Sequence, residues 1–336
     1  MKSNRCLMAL VLACVLAVLA VGRAAAEEGE IKMAQQYGLA FLPLMVMQHY
    51  KLLEKHVKAA GLGEVKVSWI KLASGGVMND ALLGGDLSFA SGGVPPFITL
   101  WAKTRGSLDV EGVCAMAAMP LYLNTRNPGI RSVKDFTEKD KIALPAIKVS
   151  NQAMFLQMAA EQAFGEGGAH RLDSLTVSLS HPDAMTAMLS GGEINSHFSA
   201  PPFQYQELAE PGIHSVVSSY DLLGGPHTFA MVWTTARYRQ QNPKTFASFL
   251  AAFEEADAII ARDNRGVAQM YLAETRSKDT VENIQKFITA AGSEYVMTPK
   301  NTVKQADFMY RVGTIKVKPA SWKEMFFPEI HQLPGS

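Results

Sequence analysis

The chain contains little cysteine, and most of it lies at the very start. Of 336 residues only three are cysteine. Cys6 and Cys14 lie in an N-terminal apolar segment, which leaves Cys114 alone in the rest of the chain. A single cysteine cannot form an intramolecular disulfide in any redox compartment. Cys114 lies in the apolar run 113–119, which favours a buried structural thiol over a reactive one.

The chain also lacks the common catalytic and metal-binding motifs. It contains no G-x-S-x-G, Walker A, H-E-x-x-H or C-x-x-C pattern. Of the eight histidines only His49 and His56 lie close together, and their spacing favours a solvated or partly buried pair over metal ligands. The sequence therefore predicts no metal, no cofactor and no catalytic residue.

Charge of one sign is missing as well. The chain has 32 Lys and Arg against 31 Asp and Glu, a net charge of +1. No basic block stands out, so the composition gives no case for nucleic-acid binding.

Only the N-terminus carries a long hydrophobic run. Lys2 and Arg5 precede the apolar stretch 6–21, and three alanines end at Ala26, which is typical of a secretory signal peptide cleaved after Ala26. The stretch is shorter than the roughly 20 residues of a membrane span. We therefore expect an exported, soluble protein. Loss of residues 1–26 removes three basic residues, leaving 29 against 31 acidic ones and a net charge of −2.

A lipoprotein reading of the same segment stays open. Val11-Leu-Ala-Cys14 loosely resembles a lipoprotein box, in which Cys14 would be lipidated. Few apolar residues precede Cys14 and several follow it, so removal with the signal peptide is favoured.

Hydrophobic periodicity divides the remaining chain into two α/β units. Predicted strands at 30–34, 65–72 and 87–90 alternate with predicted helices, one of them spanning 39–61, and indicate a largely parallel sheet. Strands at 141–145, 175–179 and 194–198 repeat this plan. The segments 122–126 and 223–230 predict two crossovers, and the chain after 234 looks helical. We expect residues 27–122 and 228–336 to form lobe 1, and 123–227 lobe 2, with a ligand cleft between them.

A helix-turn-strand pattern occurs twice and supports this symmetry. Residues 80–96 and 186–202 each contain a helix end, Gly-Gly, an acid with an aliphatic residue, a short strand, small residues and Pro-Pro. Gly-Gly and Pro-Pro are common turn punctuation, so chance is the competing interpretation.

Several loops after predicted strands are candidate ligand contacts. Backbone N–H groups at 74–76 suit an anion or a carbonyl oxygen, although a tight turn explains the glycines equally well. Residues 150–152 suit ligand contact or helix capping, and 227–228 suit a cleft or a hinge turn. Aromatic side chains at 37 and 41 suit an apolar wall. The candidates are Tyr37, Phe41, Ser74, Gly75, Gly76, Ser91, Gly92, Gly93, Ser150, Asn151, Gln152, Ser199, His227 and Thr228.

The chain resembles the periplasmic solute-binding proteins of ABC importers, in the nitrate, sulfonate and taurine class (the NMT1 or THI5-like family). The resemblance covers nearly all of 30–330 and lies in the order and spacing of four motifs. These are Leu39-Ala-Phe-Leu-Pro43, Leu82-Leu-Gly-Gly-Asp-Leu-Ser-Phe-Ala-Ser-Gly-Gly93, Ile130-Arg-Ser-Val-Lys-Asp-Phe136 and Met188-Leu-Ser-Gly-Gly-Glu-Ile194.

The resemblance implies a type II periplasmic-binding fold, α/β in class, with a solute clasped between two lobes joined by two crossovers. It implies a membrane permease and its ATPase as partners, and we expect a monomer. By position, the loops at 74–76, 91–93, 150–152 and 197–199 match the ligand-facing loops of the family, which adds His197 to the candidates. None of the four loops holds Lys or Arg, which a tightly bound small anion usually meets. Lys71, Arg126 and Lys148 flank the loops.

The resemblance leaves two other functions open. An enzyme on the same fold, a pyrimidine synthase or a desulfinase-like hydrolase, is the main alternative. The cysteine-rich motif of the pyrimidine-forming enzymes is absent, and a desulfinase would have to use Cys114 as its nucleophile. A sensory ectodomain has no support, because no second membrane segment is predicted.

Overall fold

The computed structural model describes residues 27–336, and the predicted signal peptide with Cys6 and Cys14 lies outside them. Within 27–336, no helix is long and apolar enough to cross a membrane.

Ten strands of the described range fall into two groups. The first group comprises β1 (Glu30–Gln35), β2 (Lys66–Lys71), β3 (Ala90–Gly93), β4 (Val110–Ala118) and β10 (Thr228–Thr235). The second group comprises β5 (Tyr122–Thr125), β6 (Ile142–Leu144), β7 (Thr176–Ser178), β8 (Ser196–Phe198) and β9 (His214–Ser218).

The two groups have the same spatial plan. In the first, β1 and β2 are parallel, a bridge from Met33 to Phe89 joins β1 to the start of β3, and β10 runs antiparallel between β3 and β4. Its order is β2-β1-β3-β10-β4. In the second the order is β7-β6-β8-β5-β9, with β5 antiparallel to both of its neighbours. Each sheet is therefore largely parallel, as expected, and contains one antiparallel strand, which the sequence did not predict.

In each sheet the antiparallel strand is the one that directly follows a crossover from the other lobe. The chain leaves the first sheet after β4 and enters the second as β5, and it returns as β10 between β3 and β4. Each lobe therefore holds one strand that is continuous with the other lobe's share of the chain. This exchange ties the lobes together without a flexible linker.

Thirteen helices surround the sheets of the described range. Those in the N-terminal third are α1 (Leu42–Tyr50), α2 (Leu52–Ala59), α3 (Gly75–Leu83) and α4 (Val94–Thr104). The second sheet has α5 (Asn151–Phe164), α6 (His181–Leu189), α7 (Phe203–Leu208) and α8 (Ser219–Leu223). The C-terminal ones are α9 (Ala236–Gln241), α10 (Pro243–Arg262), α11 (Asn264–Thr275), α12 (Val281–Ile288) and α13 (Thr302–Arg311).

Two elements differ from the sequence prediction. The single helix predicted over 39–61 is interrupted at Lys51, whose left-handed φ of 52° ends α1 and starts α2. The long strand β4 was recognised only as an apolar run. It is buried along almost its whole length, so it lacks the polar alternation that marks a half-exposed strand.

The duplicated pattern has a structural counterpart. Residues 80–96 span the end of α3, β3 and the start of α4, whereas 186–202 span the end of α6 and β8 up to the residue before α7. β3 and β8 hold the same place in their sheets, beside the antiparallel strand. The two copies are equivalent parts of two similar lobes, which removes the interpretation by chance.

Candidate functional site

Loops of both lobes meet around a small cavity of about 20 Å³. They follow the carboxyl ends of β1, β2 and β3 in one lobe and of β6 and β7 in the other, which is where open α/β sheets bind ligands. The volume suits roughly one water molecule. The lining residues are Gln36, Tyr37, Phe41, Ser74, Gly75, Gly93, Pro96, Pro145, Ala146, Val149, Ser150, Asn151, Gln152, His181 and Phe229.

Eight of the predicted contacts line this cavity, and seven do not. Tyr37, Phe41, Ser74, Gly75, Gly93, Ser150, Asn151 and Gln152 are lining residues. Gly76, Ser91, Gly92, His197, Ser199, His227 and Thr228 lie outside the lining.

Asn151 joins the lobes at the centre of the site. Its side-chain oxygen accepts from the backbone N–H of Val94 at 3.2 Å, and its amide nitrogen donates to the carbonyl of Phe229 at 2.8 Å. A Cβ on Gly93 would lie 2.9 Å from the Asn151 Cγ atom, so only glycine permits this approach. The lobes are therefore in direct contact around the cavity.

The neighbouring Ser150 is a helix cap, as the alternative interpretation of residues 150–152 proposed. Its hydroxyl accepts from the N–H of Ala153 at 3.2 Å and donates to the carbonyl of Ala146 at 2.8 Å. Ser74 also precedes a helix, α3, but its side chain makes no capping hydrogen bond. The Ser74 hydroxyl thus stays available beside the cavity.

Ser91 and Gly92 lie behind the cavity wall. The Ser91 hydroxyl is fully buried and donates to the Ala34 carbonyl at 2.6 Å. A Cβ on Gly92 would lie 2.7 Å from the Gln36 amide nitrogen and 3.1 Å from the Trp233 ring. These two residues therefore hold the backbone of β3 close to its neighbours.

The predicted contacts of the second lobe, His197 and Ser199, belong to a buried polar network. Glu207 on α7 accepts at one carboxylate oxygen from His197 Nδ1 at 2.5 Å and from the Ser199 hydroxyl at 3.2 Å. Its other oxygen accepts from the Asn124 amide at 2.8 Å. All four side chains are fully buried.

His181 carries this network to the cavity, and sequence reasoning missed it. His181 opens α6 after the N-cap Ser180, and its Nδ1 lies 2.8 Å from His197 Nε2. Its Nε2 lies 3.3 Å from the Gln152 amide nitrogen. Burial lowers the pKa of His181 well below its usual range, and the neighbouring His197 acts in the same direction. By itself the sequence His181-Pro-Asp183 indicates only the start of a helix, because the contact with His197 is tertiary.

His227 and Thr228 lie at the second crossover and hold it together. His227 donates through Nδ1 to the Thr228 carbonyl at 3.0 Å, and its Nε2 lies 2.8 Å from the Ser219 hydroxyl. Thr228 exchanges two hydrogen bonds with Lys300. Burial lowers the pKa of His227 to about 4. This geometry matches the hinge-turn alternative, while the next residue, Phe229, reaches the cavity.

A larger cavity of about 710 Å³ adjoins the small one, and Gln36 and Tyr37 line both. The volume is ordinary for a site that takes a small organic molecule. Lys71 lies over the Tyr37 ring at 5.4 Å, so a cation flanks this cavity as the sequence suggested. Its other walls come from both lobes and from α11 and α12: Gly38, Met45, Pro182, Met185, Pro202, Phe203, Gln206, Ala209, Glu210, Tyr271, Glu274, Thr275, Ser277, Lys278, Asp279, Asn283 and Phe287.

Cys114 lies apart from both cavities. It is fully buried in β4 opposite Val232 of β10, and burial raises the pKa of its thiol well above the usual range. Since a thiolate is the reactive form, this environment makes the sulfur inert. Among residues 27–336, no group of His, Cys, Asp and Glu side chains is arranged to hold a metal ion.

Comparison with solved structures identifies the fold. The alkanesulfonate-binding protein SsuA from Xanthomonas axonopodis pv. citri bound to MOPS is similar at a TM-score of 0.67 and 18% identity, over 85% of this chain and 94% of that one. The periplasmic nitrate-binding protein NrtA from Synechocystis PCC 6803 is similar at 0.67 and 16%, over 89% and 84%.

A third similar structure comes from outside the bacteria. The Candida albicans CA3427 gene product, described as having the generic periplasmic binding protein fold, matches at a TM-score of 0.66 and 14% identity, over 86% and 92%. No family model matches the chain, and no curated protein matches it by sequence. The chain therefore has the two-lobed periplasmic-binding-protein fold.

Proposed function

We propose that this protein is the extracytoplasmic solute-binding component of an ABC importer. It captures a small organic solute between its lobes and delivers it to a membrane permease that works with an ATPase. The observation that carries this proposal is the meeting of loops from both lobes around two adjoining cavities. A ligand that touches both lobes favours the closed arrangement by its differential affinity for it.

The lobe boundaries that we propose are those expected from the sequence. Residues 27–122 with 228–336 make lobe 1, and 123–227 make lobe 2. The placement of β5 and β10 on opposite sides of the two crossovers supports these limits. Residues 1–26 are a signal peptide that is cleaved near Ala26, and the mature monomer resides in the periplasm. The N-terminal sequence of protein recovered from a periplasmic extract checks this assignment.

The two cavities bind different parts of the solute. After a modest opening of the lobes, a polar group of the solute occupies the small cavity and contacts Ser74, Asn151 and Gln152. The rest of the solute lies in the larger cavity, where Tyr37 and Phe203 supply aromatic wall. Solutes of suitable class are sulfonates, carboxylates, taurine-like zwitterions and heterocycles.

A thermal-shift screen of residues 27–336 against these four classes tests the role. We expect at least one solute to raise the melting temperature, because a ligand that binds only the folded state stabilises it. Gln152→Ala should weaken that solute about tenfold, the value of one lost hydrogen bond. Gln162→Ala is the matched control, because Gln162 lies on the same helix α5 but faces solvent. A screen without any shift contradicts the proposal.

The enzyme alternative makes an opposite prediction about Cys114. Because the thiol is buried away from both cavities, Cys114→Ala should bind the solute with unchanged affinity and cost only about 1 kcal/mol of stability. The native wild type should also resist thiol labelling until it unfolds. Turnover of a sulfinate or a pyrimidine precursor by wild type that Cys114→Ala abolishes contradicts our assignment.

A further inference from the structure

A chain of buried hydrogen bonds runs through the second lobe and ends at the small cavity. It links Glu207 to His197 at 2.5 Å, His197 to His181 at 2.8 Å and His181 to Gln152 at 3.3 Å. The four residues come from α7, β8, α6 and α5. All are buried, and each ring nitrogen of both histidines is used once. Of these four residues, only His181 and Gln152 line the cavity.

With both imidazoles neutral, the carboxylate of Glu207 sets the direction of every proton in this series of hydrogen bonds. Asn124 and Ser199 already donate to its carboxylate, so the carboxylate acts as an acceptor at both oxygens. Nδ1–H of His197 then donates to Glu207, which leaves His197 Nε2 as an acceptor. His181 Nδ1–H donates to that nitrogen, and His181 Nε2 in turn accepts from an N–H of the Gln152 amide. Burial lowers the pKa of His181, which agrees with a neutral ring at this position.

Glu207 therefore sets the orientation of the Gln152 amide through the two histidines. Its nitrogen faces His181, and its Oε1 atom makes no hydrogen bond with any side chain or backbone group of residues 27–336. None of the residues that line the small cavity is Lys or Arg. Two other amides line the cavity: Asn151 has both of its polar atoms engaged between the lobes, and Gln36 donates to the Ser91 carbonyl at 3.4 Å. Gln152 thus offers the cavity a fixed acceptor.

We propose that the Glu207–His197–His181 chain holds the Gln152 carbonyl toward the cavity, so that the site selects a solute that donates a hydrogen bond there, an ammonium or ring N–H group. This inference rests on the proposed solute-binding role and narrows it to zwitterions of the taurine type or N–H heterocycles. A nitrate ion or a plain alkanesulfonate offers only acceptors at this point. Such a ligand would leave the Gln152 oxygen buried without a hydrogen-bond donor, which weakens binding.

The proton directions can be read without any ligand. Long-range ¹H–¹⁵N spectra of residues 27–336 labelled with ¹⁵N-histidine report which ring nitrogen carries the proton, with His181→Asn and His197→Asn variants for assignment. We expect Nδ1–H on both histidines. An Nε2–H tautomer or an imidazolium at either residue overturns the inference. In each of these states His181 Nε2 carries a proton, so the Gln152 oxygen would face His181 and its NH₂ group would face the cavity.

Replacing Glu207 by glutamine should reverse the donor and acceptor roles in every hydrogen bond from residue 207 to Gln152. In Glu207→Gln the new NH₂ group donates to His197 Nδ1, so both rings should switch to Nε2–H and Gln152 should present its NH₂ group to the cavity. The wild-type spectrum alone decides the orientation even where this variant folds poorly. A folded variant whose tautomers stay unchanged contradicts the proposed chain.

Two probes of equal size test the selectivity. Taurine and 1-propanesulfonate differ only in an ammonium group that replaces a methyl group. We expect wild type to bind taurine about tenfold or more tightly, and the difference to vanish in Glu207→Gln. Equal affinities in wild type overturn the selectivity. If no solute of any class binds although both tautomers are Nδ1–H, the solute-binding role fails while the orientation of Gln152 stands.

Discussion

The two copies of the duplicated pattern hold equivalent positions in the two lobes but reach the cleft by different means. In the first copy β3 ends in Gly92 and Gly93, where a side chain would collide with Gln36 or Asn151. In the second copy β8 carries His197, which is bonded to His181 and Glu207 without any contact to solvent. One edge is thus shaped by the absence of side chains and the other by a polar network.

This difference shows that internal symmetry of the backbone does not extend to the chemistry of the site. The glycine edge lets Asn151 cross from the other lobe and bond to Val94. The histidine edge fixes the groups that its own lobe presents, namely His181 and Gln152. A bound solute therefore meets a steric boundary on one side and oriented hydrogen-bonding groups on the other. Three experiments separate the two edges.

The largest effect is expected at the polar edge. Glu207→Ala removes the acceptor of three buried donors, and breaking a buried charged network of this kind costs about 3–5 kcal/mol. Urea denaturation of wild type and variant measures the loss. Glu210→Ala is the control, since this exposed acid forms no ion pair with any described residue and should change stability by less than about 0.5 kcal/mol. Equal stabilities of the two variants would show that the network contributes little.

A smaller effect is expected at the glycine edge. Gly93→Ala forces a methyl group against Asn151, and such overpacking costs about 1–3 kcal/mol. Because the collision lies between the lobes, small-angle scattering should also show a more open molecule. Gly192→Ala is the control, since its Cβ would have only the Ser190 hydroxyl within 4 Å, at 3.9 Å. Adding Asn151→Ala should restore part of the closure; no gain in the double variant argues against a steric cause.

The smallest effect is a response to acid from His181 and His227, two buried histidines that lie outside both copies but within the proposed limits of the second copy's lobe. The folded pKa of His227 is about 4, below its usual value near 6.5. The unfolded chain therefore binds more protons between these values, so the stability is complete above pH 6.5 and falls as the pH drops toward 4. We expect a loss of about 2 kcal/mol by pH 5 from His227 alone, and His181 acts in the same direction.

Urea titrations between pH 7 and pH 4 measure this response. His227→Gln should flatten the profile because it removes the titrating ring while keeping polar atoms beside Ser219 and Thr228. An unchanged profile in this variant would assign the acid sensitivity elsewhere.

The elements of the fold were largely readable from the sequence, because their signals are local. Alternating residues predicted β2, and β5 at Tyr122–Thr125 falls within the crossover expected at 122–126. Gly-Gly stops and Pro-Pro starts located the two copies. The prediction was weakest where burial removes the periodic signal, as in β4, and where one residue, Lys51, changes the path of a helix.

The candidate site was predicted in part for the same reason. Tyr37, Ser74 and Asn151 follow strands or begin helices, so their place at a sheet edge could be inferred from order alone. His181 could not, because nothing in the spacing of His181 and His197 shows that their rings meet across α6 and β8. Gln36 was also missed, although it directly follows β1.

By itself the sequence determined two α/β units, two crossovers and a duplicated edge, since periodicity, turn residues and chain order suffice for these. The tertiary structure decided which loops touch, that the glycines of β3 admit Asn151, and that Glu207 orients Gln152 through two histidines. These contacts join residues far apart in the chain, and only packing of the lobes brings them within hydrogen-bond distance.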